Sequence, residues 1–227
     1  MKILIFANKY NPQTHLYISH LKRYISNKKI FFVFDNKKMK IKDVNIWKFR
    51  TKNKFRLDKS YLKKISHKIV KIRHNTKKFE RYLKDHNFSL GLNCGTPRIL
   101  NSNVINSFKI GVVNIHPGKL PDLRGCTCVE WALYLKRRVY NTAHLMNEQI
   151  DHGRIIKFQR CEMKKNYQYH DIRNKVYESG YILMRNILGE YLRNKKLKSK
   201  NLKKGGKYFK PIDNKVLVKL IETIKRG

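Results

Sequence analysis

Acidic side chains are what this chain has least of for its size. Of 227 residues, 15 are Asp or Glu against 53 Lys or Arg, a formal net charge of +38. That balance invites polyanions: nucleic acid, anionic lipid or a phosphorylated small molecule. The lysines are spread along the whole chain, so an AT-rich coding sequence accounts for them equally well. Zinc-finger, basic-zipper and RNA-recognition patterns are missing. Long apolar runs are missing too. The stretch Ile30, Phe31, Phe32, Val33, Phe34 is far too short to span a bilayer. The N-terminus lacks the length and cleavage pattern of a signal peptide, so a reducing, cytoplasmic setting is expected. Cysteine is limited to Cys94, Cys126, Cys128 and Cys161. One residue separates Cys126 from Cys128 and no second pair follows, which disfavours a zinc knuckle; no metal is expected, and the thiols are read as free. No internal repeat is present. Hydrophobic residues nevertheless make up 41%, with 13 Tyr and 11 Phe, enough to bury the core of one ordinary domain.

Hydrophobic periodicity orders the elements. Residues 2–7 and 30–34 are uncharged apolar runs and read as buried strands. Residues 14–25 carry a helical stripe, and 44–49 read as a third, weaker strand. From 59 to 84, Leu62, Ile65, Ile69 and Ile72 stand three and four apart, as on one helix. Residues 89–93 and 110–115 read as strands with a short helix at 99–108 between them. A helix is expected around 128–135, strands at 142–146 and 154–160, and a long helix over 171–192. A basic linker follows, and residues 208–224 read as a terminal helix docked on the body. Alternating strands and helices indicate an α/β fold, a Rossmann-like, mostly parallel sheet flanked by helices, with a short C-terminal extension. Ligands of such sheets sit beyond the C-terminal strand ends, which directs attention to the loops after Phe6, Asn93 and Ile115.

The chemistry concentrates in one of these loops. Asn114 and His116 are two apart on a strand and so face one space. An amide donor beside an imidazole suits acyl chemistry, the one for a developing oxyanion and the other for a proton. Downstream come Leu120 and Pro121, Arg124 and Gly125, Trp131, then Thr142, His144 and Met146, and finally Asp151, His152 and Gly153, with Asp151 35 positions after His116. Cys94 has no base near it in the pattern, His152 reads as a spectator and His144 as a packed strand residue.

In order and spacing these motifs resemble the formyltransferase family that uses 10-formyltetrahydrofolate. Its members act on glycinamide ribonucleotide, methionyl-tRNA or nucleotide-linked amino sugars. The resemblance is clear over residues 89–157, and the combination of motifs, not any one of them, is specific. It implies a formyltransferase fold with a catalytic domain over residues 1–192 and an extension over 193–227. It implies that Asn114 holds the formyl oxygen, His116 takes part in proton transfer and Asp151 orients His116. It implies a donor pocket formed by Arg98, Ile99 and Leu100 with the loop carrying Met146, Asn147, Glu148 and Ile150. Pro117, Arg124 and Gly125 would serve the acceptor, with Lys9 and Tyr10 from the loop after the first strand.

The acceptor class rests on what the chain does not show. The loop Asn8 to Gln13 has no glycine cradle for a ribose phosphate, which disfavours glycinamide ribonucleotide. Little follows residue 192 that would build a tRNA-contacting domain, which disfavours methionyl-tRNA despite the charge. The expectation is therefore transfer to a nucleotide-diphosphate amino deoxy sugar for surface glycan synthesis, by an enzyme of a class often dimeric. Nucleic acid is a possible but disfavoured partner, and no membrane span is expected. Three alternatives stay open: a methionyl-tRNA formyltransferase-like enzyme, a formyltetrahydrofolate hydrolase, and a nucleic-acid-binding protein on a degenerate enzyme fold, whose binding would be steeply salt-dependent.

Overall fold

The computed structural model describes residues 1–226. Its first strand, β1 (Ile3–Asn8), is buried at every position. That follows from its place at the centre of a parallel sheet covered on both faces, where no alternation is needed. Strands β2 (Ile30–Asp35), β3 (Ile69–Lys71), β4 (Leu90–Asn93) and β5 (Gly111–His116) join it in parallel. A short β6 (Leu123–Gly125) leaves the sheet, and β7 (Tyr140–Leu145) and β8 (Ile155–Arg160) return antiparallel beside β5. The order is β3-β2-β1-β4-β5-β7-β8, a seven-stranded, mostly parallel sheet flanked by helices. Its direction of winding reverses between β1 and β4, where the C-terminal strand ends leave a crevice.

Helix α1 (Pro12–His20) begins with proline, and the Asn11 side chain caps it by accepting from the Gln13 N–H. It packs with α7 (Tyr169–Asn194) on one face of the sheet. Two expectations fail nearby. Residues 44–49 form no strand; they lie inside α2 (Ile41–Thr51), which packs on α7. Val44, Trp47 and Thr51 fall on the side turned inward, at spacings of three and four, whereas strand alternation would have turned Lys48 inward with Val44 and Ile46. Nor is 59–84 one helix. It divides into α3 (Tyr61–Ile65), a 3-10 turn (Ser66–Lys68), β3 and α4 (Lys77–His86). Ile69 and Val70 are β-branched and pair with Phe32 and Val33 at the sheet edge, a better use of them than a helix face. Asn75 then takes a left-handed turn, and Thr76 caps α4 through the Phe79 N–H.

Helices α4 and α5 (Ser102–Asn106) cover the opposite face, around Phe79, Leu83, Val104 and Phe108. A third cluster joins α6 (Cys128–Tyr134) to Ile172 and Val176 of α7. After α7 the chain runs along the free edge of β8, where Lys200 bridges Ile155. It then forms β9 (Lys207–Phe209), parallel to β6, before α8 (Asn214–Arg226). The expected terminal helix therefore starts six residues later than 208, and a strand precedes it. No helix among the described residues is long and apolar enough to cross a membrane.

Candidate active site

Strand register gathers the polar side chains at the C-terminal edge of the sheet. Asn93 ends β4, Asn114 and His116 end β5, and His144 lies opposite Asn114 on β7. The Asn93 side-chain oxygen Oδ1 accepts from the backbone N–H groups of Gly95 (3.2 Å) and Thr96 (3.0 Å). Its amide nitrogen must therefore face Asn114, and it donates to the Asn114 Oδ1 at 2.9 Å. That fixes the Asn114 amide in turn: its Nδ2 points to His144 Nε2 at 3.1 Å. For His144 to accept there, its proton sits on Nδ1, which donates to the Leu145 carbonyl at 3.2 Å. Burial, reinforced by the neighbouring His116, lowers the His144 pKa to about 4 against the opposing pull of Asp151, so the ring is neutral. One N–H of Asn114 is used by His144 and the other is left for a ligand oxygen.

His116 stands behind this row, almost wholly buried. Its Nε2 donates to the Leu123 carbonyl at 2.7 Å, and its Nδ1 lies 3.3 Å from Asp151 Oδ2. Both ring nitrogens thus face acceptors. Nε2 carries the proton given to Leu123, and Nδ1 is the nitrogen turned to the carboxylate. Asp151 is aimed by its own backbone, in the left-handed region with φ 57°, and by the Gly125 N–H, which donates to Oδ2 at 3.0 Å. Its other oxygen is 3.8 Å from His144 Nε2. The tight turn needs Gly153, because a Cβ there would run into the Leu145 carbonyl. Thr142 completes the frame by donating to the Gly118 carbonyl and accepting from the Leu120 N–H, which holds the loop after His116 in place.

In front of Asn114 and Asp151 opens a cavity of about 350 Å³. Arg98, Ile99 and Leu100 form one wall and Met146, Asn147, Glu148 and Ile150 another, so all seven residues expected at the donor line a single space. The Arg98 side chain is already engaged: its Nε donates to the buried Asp35 at 2.6 Å. Burial alone would raise the Asp35 pKa; the Arg98 bond and the N–H groups of Lys37 and His74 outweigh it and hold the carboxyl below its ordinary value. Arg98 therefore braces the wall between β2 and β4, and the exposed Ile99 is the residue free to meet a ligand.

The residues expected at the acceptor separate into two groups. Pro117, Arg124 and Gly125 lie on the segment that runs from the end of β5 through β6, where Gly125 holds Asp151. There Arg124 spends one N–H on the Gly206 carbonyl at 3.0 Å. Lys9 and Tyr10 lie beyond β1, tied to the β4 loop through Asn11, which donates to the Gly95 carbonyl. They line no wall of the 350 Å³ cavity. The sequence assigns no role in the site to three residues: His144, which reads as packing; Asn93, which opens the segment running to Leu100 that resembles the family's donor-pocket lining; and Tyr208, in a tail segment that resembles the family's only weakly.

Comparison with known proteins identifies the fold and the family. One segment is 29% identical over 92 residues to the bifunctional polymyxin resistance protein ArnA of Wigglesworthia glossinidia brevipalpis, spanning 40% of this chain and only 14% of that relative's length. A sugar N-formyltransferase from a Shewanella species superposes with a TM-score of 0.63 at 19% identity, covering 93% of this chain and 77% of the other. The N-formyltransferase of Helicobacter canadensis, solved with folinic acid and dTDP-3-aminofucose, gives 0.63 at 17% identity over 92% and 71%. These likenesses establish the shared fold. A model of the formyl transferase family matches residues 1–188, well over half of the chain, and the protein belongs to that family.

Proposed function

We propose that the protein transfers the formyl group of 10-formyltetrahydrofolate to the amine of a nucleotide-linked amino deoxy sugar. The carrying observation is the convergence of Asn114, His144 and Asp151 on one cavity, with His116 locked behind them. The donor fits what the cavity offers. Its volume is in the range of small-molecule sites, its walls are two loops that carry Leu100, Met146 and Ile150, and it ends on an amide with one free donor. When bound there, the donor supplies an activated formyl carbon. Asn114 meets the formyl oxygen and gains strength as that oxygen turns negative, because its amide is held before the reaction begins. The amine, which attacks only when neutral, bonds to the formyl carbon; Asp151, which lines the cavity, takes its proton and would return it to N10 of tetrahydrofolate as the bond from that nitrogen to the formyl carbon breaks. His116 shares that proton through Nδ1 and, anchored by Leu123, spreads the charge away from the cavity.

The sugar acceptor rests on the company the fold keeps: several of the structural neighbours are sugar N-formyltransferases. A strongly basic surface also suits a nucleotide diphosphate. Nucleotide sugars and folates both fit a cytoplasmic enzyme. The test follows label from 10-formyltetrahydrofolate with nucleotide-linked amino sugars, aminoacylated initiator tRNA or water as acceptor, and His116→Ala as control. Label on the sugar, lost in the variant, supports the reading. Label on tRNA moves the acceptor to nucleic acid. Formate released equally with and without acceptor makes the protein a hydrolase, and no donor consumption sinks the enzyme reading.

A further inference from the structure

The chain after α7 returns to the catalytic centre and is held there at several points. Strand β9 pairs with β6 so that Arg124 lies opposite Tyr208 and Gly125 opposite Phe209. The Cys126 N–H donates to the Phe209 carbonyl at 2.9 Å, and Trp131 Nε1 donates to the Lys210 carbonyl at 2.9 Å. The Ile212 N–H donates to Thr127 Oγ1 at 2.9 Å. Phe209 is buried beneath this ribbon, and Tyr208 is turned to the other side with about half of its surface exposed. A large aromatic ring left exposed on a segment so firmly fixed is available to a ligand.

The ring lies against Gly125. A Cβ placed on that residue, whose φ is 93°, would come within 3.0 Å of two carbons of the Tyr208 ring and closer still to the Phe209 carbonyl. Gly125 is also the residue whose N–H holds Asp151 Oδ2. One backbone unit therefore separates the phenol ring from the carboxylate that meets the amine. Neither Tyr208 nor Gly125 lines the cavity assigned to the donor, so the ring stands outside the donor's space while meeting the same glycine as Asp151.

We propose that Tyr208 is a specificity-determining residue of the acceptor subsite, its ring packing against the C–H face of the pyranose that carries the amine. The inference rests on the sugar reading above and narrows it: the ring selects a cyclic acceptor and aligns its amine with Asp151. Arg124 contributes by anchoring the Gly206 carbonyl, which keeps β9 in register.

The experiment measures steady-state transfer to a nucleotide-linked amino sugar by wild type, Tyr208→Phe, Tyr208→Leu and Tyr208→Ala, with thermal melting of each. The expected result is an acceptor KM raised at least tenfold in Tyr208→Ala and several-fold in Tyr208→Leu. Tyr208→Phe stays near wild type. The KM for the donor is unchanged throughout, and kcat moves by less than about threefold. Transfer to a small acyclic amine at high concentration has no ring to lose and should not respond. A wild-type acceptor KM in a folded Tyr208→Leu or Tyr208→Ala protein overturns the proposal while leaving the sugar reading intact. Equal losses with the acyclic amine overturn it too, because the damage then lies at the reacting atoms. A wild-type protein that formylates no nucleotide sugar overturns the reading and the proposal together.

Discussion

At the scale of the residue, the site depends on where protons are held. Asp151→Asn keeps an oxygen for the Gly125 N–H but removes the acceptor for the amine's proton. It should lower kcat by roughly 10²- to 10⁴-fold with little change in melting temperature, measured under saturating donor. His144 works one step away, by aiming Asn114. His144→Leu releases that amide and should cost on the order of 10²-fold in kcat with the donor KM almost unchanged. His144→Gln, which offers an acceptor at nearly the same place, should recover most of the loss. The two also differ in pH response. Wild-type His144 accepts only while neutral, so the Asn114 contact is intact well above pH 4 and is lost as pH falls to about 4. The Gln variant should lack that acid limb. A His144→Leu protein with wild-type kcat would show that Asn114 needs no such support. How much of this was legible follows from locality. Asn114, His116 and Asp151 stand in motifs whose spacing survives in the linear chain. The role of His144 depends on its antiparallel register with Asn114, 30 positions away, and no local pattern carries register.

At the scale of the element, the legible parts were those with one dominant pattern. The central strands of the parallel sheet are continuous apolar runs and were read in place. The segment 44–49 alternates weakly because it is only half buried, and its helical phase shows once α7 is known to cover it. Strand β9 has three residues and exists only because β6 is there to pair with it. Helix α6, which follows β6, stands on a buried charge. Glu130 accepts from Tyr169 Oη at 2.7 Å and lies 3.4 Å from both Arg173 and Arg50. Burial would raise its pKa, but the two guanidinium groups outweigh burial and hold it below its ordinary value. Glu130→Ala leaves Arg173 charged and almost wholly buried without its carboxylate, a change that typically costs about 3–5 kcal/mol. Urea unfolding should report that loss. Because Thr127 and Trp131 on the same short segment tether the chain after β9, the acceptor KM should rise along with it. A Glu130→Ala protein as stable as wild type would mean that Tyr177, which accepts from Arg173 at 2.6 Å, suffices for the guanidinium.

At the scale of the whole molecule, stability should fall on mild acidification, for two reasons that act in the same direction. The first is the charge itself: at +38 the folded chain already repels itself, and protonating histidines adds to it. The second is that the fold buries histidines in the neutral form. His74, wedged between Phe6 and Phe79 and bonded to Thr96 Oγ1 through Nδ1, is lowered to about 4 by burial, partly opposed by Asp35. His144 is lowered as far, and burial also lowers His15. An unfolded histidine takes its proton near pH 6.5, well before these folded ones do. Between pH 6.5 and 4 the unfolded state therefore binds more protons, and stability falls as pH falls. Above pH 6.5 neither state is protonated and the effect vanishes. For a single site lowered to 4, the loss between pH 7.5 and pH 5 is about 2 kcal/mol. Asp35 and Glu130 act lower still, since their folded values are depressed: their stabilisation persists until pH falls through the ordinary carboxylate range. Urea unfolding at pH 7.5 and pH 5 separates the contributions. His74→Asn should shrink the difference between the two pH values by about 2 kcal/mol, whatever it does to stability at pH 7.5. High salt screens the self-repulsion of surface lysines but not a buried imidazole, so the share that disappears with His74 should persist at high ionic strength. An unchanged difference in the variant would place the acid sensitivity in the surface charge alone.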